Sequence, residues 1–205
     1  MNIIYLLFHG LSPYSGISKK ILHQVKGFEA CGHRVSLCTY SIADNGHRVR
    51  MINNEIIEDY GTGKPAAAKR RVSYQCIYRY AITHQVELIY VRSFHNANPF
   101  TIRLFSKLRK AGIKIAMEIP TYPYDSEYAG FPLVTRLGIQ VDKVFRKTLA
   151  KHVNAIVTFS DYHCIFGQRT IQISNGVDFD SIPLKKTVSK NTSVIHLLGV
   201  AEVHY

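Results

Sequence analysis

Short apolar runs alternate along the chain with stretches whose apolar residues recur at helical spacing. That alternation predicts a parallel sheet with crossover helices. The expected strands are residues 3–8, 35–40, 88–91, 113–119, 155–159 and 170–173. Near-continuous hydrophobicity in several of them suits strands covered on both faces. A first helix carries Ile17, Ile21, Val25 and Phe28 on one face, with Gly32 placed to end it in a left-handed cap. Asn98 and Pro99 read as the cap and first-turn proline of another helix that Gly112 closes, and a third spans about 132–151. Residues 46–59 read as a short hairpin or an irregular insertion. The expected class is α/β, a Rossmann-like doubly wound parallel sheet formed by residues 1–184. A polar linker, 185–193, then leads into a further apolar strand within 194–205, "VIHLLGV".

An apolar content of 46% over 205 residues is ample for a globular core and excludes a disordered chain. The cysteines (Cys31, Cys38, Cys76, Cys164) lie far apart, and "MNIIYLLFHG" has no basic segment ahead of its apolar run. Both features point to reduced thiols and a cytoplasmic protein. The formal charge of +12 calls for nucleic acid, an anionic membrane face or a phosphorylated substrate, or else serves solubility alone. Arg136, Lys143, Lys147 and Lys151 fall on one stripe of the third helix, while Leu133, Leu137, Val144 and Leu149 contribute apolar surface elsewhere on it. Such a helix suits peripheral contact with the inner face of a membrane, and a solvated helix face has the same pattern. Its aliphatic rather than aromatic neighbours argue against nucleic acid.

In open sheets of this class, ligands sit beyond the carboxyl ends of the strands. The loops there are "HGLSPYSGIS", "RSFHNANP", "EIPTYPYDSEY" and "SDYHC". Gly16 stands at the mouth of a helix, where backbone N–H groups and the dipole can receive a phosphate; a plain strand-to-helix turn is the alternative. The loop lacks GxGxxG spacing, which disfavours nicotinamide and flavin dinucleotides. "GTGKP" fails as a phosphate loop and reads as a turn before the next helix. No histidine has a partner at metal-ligand spacing, so no metal is expected. In "EIPTYPYDSEY", stiffening prolines and the rings of Tyr122 and Tyr124 suit stacking against sugars. Glu118 is poised there as acid, base or hydrogen-bond acceptor, or is held by a nearby arginine.

At "ISNGVDFDSIP", residues 173–183, the chain resembles the N-terminal half of a family-4 glycosyltransferase of the GT-B fold. "SGISKKILHQVKGFEACGHRVSLCTY" extends the resemblance through the first loop, helix and second strand, and in outline it covers residues 1–200. The resemblance implies a retaining transferase without cofactor or essential metal, moving sugar from a nucleotide-diphosphate donor to a glycan or lipid-linked acceptor in surface polysaccharide synthesis. Asn175 and Gly176 would form the interdomain turn, and "VIHLLGV" the first strand of a donor-binding domain. Ser15 and Gly16 would approach the donor phosphates, while His95, Tyr122, Tyr124 and Asp125 shape the acceptor side and Glu118 is the candidate catalytic group. Such a half is inactive alone, and residues 194–199 would invite self-association. The sequence departs from the family at Ser15-Gly16, where a glycine pair is usual, and at Glu118-Ile119-Pro120, where a histidine is often found. A non-enzymatic α/β module that binds an anionic partner is the alternative.

Overall fold

A computed structural model describes residues 1–92, 96–124, 133–174 and 176. The elements run β1 (Asn2–Leu6), α1 (Gly16–Ala30), β2 (Arg34–Ile42), β3 (Arg48–Ile52), β4 (Glu55–Asp59), α2 (Gly63–Val72), α3 (Gln75–Thr83), β5 (Leu88–Arg92), α4 (Pro99–Lys110), β6 (Lys114–Ile119), α5 (Leu133–Ala150), β7 (Ala155–Thr158), β8 (Cys164–Ile165) and β9 (Gln168–Gln172). The strands form one sheet in the order β4-β3-β2-β1-β5-β6-β7-β9-β8. Pairing is parallel from β2 through β9, with the β3–β4 hairpin antiparallel at one edge and β8 antiparallel at the other. The sheet is the expected mostly parallel, Rossmann-like one, and 46–59 resolves into the hairpin.

Ile3, Ile4, Tyr5 and Leu6 of β1 are all buried, because both faces of the central strands are covered. On one face Tyr5, Leu7 and Tyr90 pack with Ile21, Val25 and Phe28 of α1. On the other, Ile4, Leu6, Ile89, Ile115 and Met117 pack against α3, α4 and α5 through Ile77, Leu104, Leu108 and Leu149. Gly32 and Gly112 end α1 and α4 in left-handed backbone, φ 79° and 83°. Asn98 opens α4 with a reciprocal box: its Oδ1 accepts from the Phe100 and Thr101 amides, and Thr101 Oγ1 accepts from the Asn98 amide at 3.0 Å. The strand order reverses between β1 and β5, which places the switch-point crevice beyond the carboxyl ends of these two strands. The expected linker 185–193 and strand in 194–205 lie outside the described residues.

Candidate functional site at the carboxyl edge

The loop leaving β1 is drawn tightly against β2. The Tyr40 amide donates to the His9 carbonyl, and a Cβ on Gly10 would stand 2.9 Å from the Tyr40 carbonyl oxygen, so only glycine fits there. Further on, the Ser12 amide donates to Ser18 Oγ at 2.9 Å and the Ser15 amide to the Ser12 carbonyl. Ser15 holds the N-cap position of α1 in extended backbone, yet its side chain makes no capping hydrogen bond, and the first turn holds no acidic residue. A Cβ on Gly16 would meet open space. Among the described residues, no side chain therefore compensates the positive end of the α1 dipole at the carboxyl edge, an arrangement that suits an anion.

Beneath this loop lies a polar network on the α1 face of the sheet. The β5–β6 register sets Arg92 beside Glu118, and Arg92 Nη1 donates to Glu118 Oε1. Glu118 Oε2 accepts from Tyr90 OH at 2.7 Å and from Gln24 Nε2 at 2.9 Å, while Tyr5 OH donates to Gln24 Oε1 at 2.6 Å. Burial and the Glu118 charge push both tyrosine hydroxyls, Tyr5 and Tyr90, well above their usual range. Glu118 is fully buried and both its oxygens are engaged. The carboxylate is thus held by an arginine, as one of the two readings of the sequence has it, and through Gln24 it ties α1 to the sheet. Lys20 stands above the network with Nζ 3.4 Å from the centre of the Phe159 ring. Burial, and then Arg92, hold its ammonium below the usual lysine range.

Tyr122 and Tyr124, in the loop that leaves β6, lie on the opposite face of the sheet. Tyr122 packs edge-on against Tyr162 (5.0 Å between ring centres), Phe166 (5.6 Å) and Tyr124 (6.4 Å). Its amide donates to Ser160 Oγ at 3.0 Å. Tyr124 is buried, donates its hydroxyl to Asp142 Oδ2 and lies under the Arg146 guanidinium, 5.6 Å from its ring centre. Among the described rings of this cluster, Tyr122 is half-buried and Tyr162 is 45% exposed. Gly16, Glu118 and Tyr124 thus share one edge of the sheet but are divided by it. Of Tyr162, Phe166, Arg146 and Lys20, the sequence gives a site signal only for Tyr162, which falls in the carboxyl-edge loop "SDYHC".

His95, Asp125 and Asn175 lie outside the described residues. Gly176 is exposed, and the expected turn, which pairs it with Asn175, lies partly outside the described residues. Among the described residues, no group of three or more His, Cys, Asp or Glu side chains converges as a metal site. None of their helices is long and apolar enough to cross a membrane. On α5 the apolar residues do not lie apart from the basic stripe. Leu133 (69% exposed), Leu137, Val141 and Val144 (71%) share the outward face with Arg136, Lys147 and Lys151, whereas Leu149 is buried, as are Ile139 and Ala150. The chain matches no protein-family model, no curated protein and no solved structure.

Proposed function

We propose that this chain is the acceptor-side half of a GT-B glycosyltransferase, which moves a sugar from a nucleotide-diphosphate donor to a glycan or lipid-linked acceptor in surface polysaccharide synthesis. The observation that carries the reading is the uncapped N-terminus of α1, open at Gly16 and facing the switch-point crevice. Backbone donors at that point suit a diphosphate, and the Tyr122–Tyr162 wall along the same edge suits a sugar ring. In this reading Ser15 and Gly16 approach the donor, Tyr122 and Tyr162 face the acceptor, and Glu118 with Arg92 and Gln24 holds the floor rigid. The outward face of α5, with leucine and valine side chains among basic ones, suits peripheral contact with an anionic bilayer on its cytoplasmic side.

The test is a transfer assay on the product of the longest reading frame that contains this chain, with a panel of labelled nucleotide sugars and a lipid extract as acceptor. The expected result is transfer by that product and none by the 205-residue chain alone. Gly16→Val should lower kcat/KM roughly tenfold or more without moving Tm, because the added side chain meets only the space left for the donor. Absence of transfer with every donor, or full activity of Gly16→Val, would overturn the reading.

A further inference from the structure

On the α2–α3 side of the carboxyl edge, four arginines gather with no acidic partner among the described residues. Arg50 is 1% exposed; its Nη1 donates to the Leu7 carbonyl at 2.8 Å, just past the end of β1, and its Nε is buried with no hydrogen-bond partner. Arg70 stacks on the Tyr40 ring, 4.1 Å from its centre, and its Nε is likewise buried and unpartnered. Arg48 Nη1 donates to the hydroxyl of that same tyrosine at 2.6 Å. Arg71 follows on α2, exposed, with its carbonyl accepting from Tyr74 OH. Among the described residues, the carboxylates of the neighbouring β4 are engaged elsewhere. Glu58, opposite Arg50 in the β3–β4 register, lies 3.7 Å from Arg79. Asp59 accepts from the Gly61 amide and pairs with His47 at 2.7 Å. Burial and the neighbouring Arg71, Arg48 and Arg50 charges hold the Arg70 guanidinium below its usual range.

Like charges held together over a buried guanidinium repel, and a buried donor left unpaired costs free energy. A protein that keeps such a group without an internal acid is organised for an anion from outside. A single carboxylate would leave most of the charge unmatched, whereas a phosphate monoester carries nearly two negative charges and three acceptor oxygens. We propose that Arg48, Arg70 and Arg71, mounted over Arg50, bind the phosphate group of a phosphorylated ligand whose remainder extends into the carboxyl-edge crevice. That this ligand is the sugar acceptor rests on the transferase reading; the phosphate site itself does not.

The test is calorimetric titration of the full chain with inorganic phosphate and with glucose 6-phosphate at fixed ionic strength, with glucose as the uncharged control. Both phosphates should bind saturably and glucose should not. Arg70→Gln and Arg71→Gln should each weaken phosphate binding roughly tenfold or more. Arg34→Gln, at the amino end of β2 on the far edge, should leave it unchanged. Absence of saturable binding, or equal loss in Arg34→Gln, overturns the site. Phosphatidylcholine vesicles with and without phosphatidic acid distinguish the source: retention that depends on Arg70 assigns the phosphate to a lipid headgroup, and retention indifferent to it assigns a soluble ester. Phosphate binding by a protein that proves inactive in transfer would keep the site and remove the transferase reading, and the reverse result would remove the site alone.

Discussion

The two faces of the sheet treat buried charge in opposite ways. On the α1 face, Arg92 and Glu118 neutralise each other, with Tyr90 and Gln24 filling the remaining acceptor positions of the carboxylate. On the α2–α3 face, Arg50 is equally buried but meets no carboxylate among the described residues: it donates to the Leu7 carbonyl and has the Tyr60 hydroxyl and the Cys38 and Cys76 thiols around it. The first arrangement is closed, with both carboxylate oxygens engaged. The second is electrostatically incomplete, and incompleteness in a folded interior is a pointer to a ligand. A carboxylate at the end of a strand is therefore weaker grounds for catalysis than an arginine cluster without acids is for binding.

The largest effect expected from this contrast is at Glu118. Glu118→Ala leaves Arg92 as an uncompensated buried charge and should cost about 3–5 kcal/mol in urea unfolding. The double variant Arg92→Met/Glu118→Leu should recover most of that loss, because it removes both charges together. Arg50→Met should behave differently: an apolar side chain of similar length relieves the repulsion with Arg70, so stability should hold or rise, by up to ~2 kcal/mol. A loss as large as that of Glu118→Ala would erase the distinction between the two faces.

The backbone of this account was legible in the sequence where local signals agree. Near-continuous apolar runs marked β1, β5 and β6, and Asn98-Pro99 with Gly112 marked both ends of α4. Helix α3 was not marked, since its N-cap position is Tyr74, whose side chain makes no cap, and neither Gly nor Pro announces it. β8 is two residues long, too short for any periodicity. The charge logic was hidden for another reason. Arg92 and Glu118 are 26 residues apart and meet only through the β5–β6 register, and Arg50 reads as surface until α2 and α3 cover it.

Smaller effects sharpen the comparison at the surface. Leu137→Asp and Val144→Asp on α5 should leave stability within about 0.5 kcal/mol, since both sites are exposed. They should reduce cosedimentation with anionic vesicles, and unchanged retention would sever α5 from the membrane. The smallest expected effect is chemical: iodoacetamide on the native chain should modify exposed Cys31 and Cys164 and spare Cys38 and Cys76. Burial pushes the Cys38 thiol up to about 12 and raises that of Cys76, so neither presents a thiolate at neutral pH. Rapid labelling of Cys38 would show that the Arg50 face opens in solution.

The most direct measurement is an amide NMR titration of the labelled chain with a nucleotide-diphosphate sugar and, separately, with a saccharide acceptor. The account predicts shifts confined to the carboxyl edge: around Ser15 and Gly16 for the donor, at Tyr122 and Tyr162 for the acceptor, and little change at Glu118, whose contacts are already complete. Shifts centred on the amino ends of the strands, or a donor response at Glu118 with none at Gly16, would contradict it.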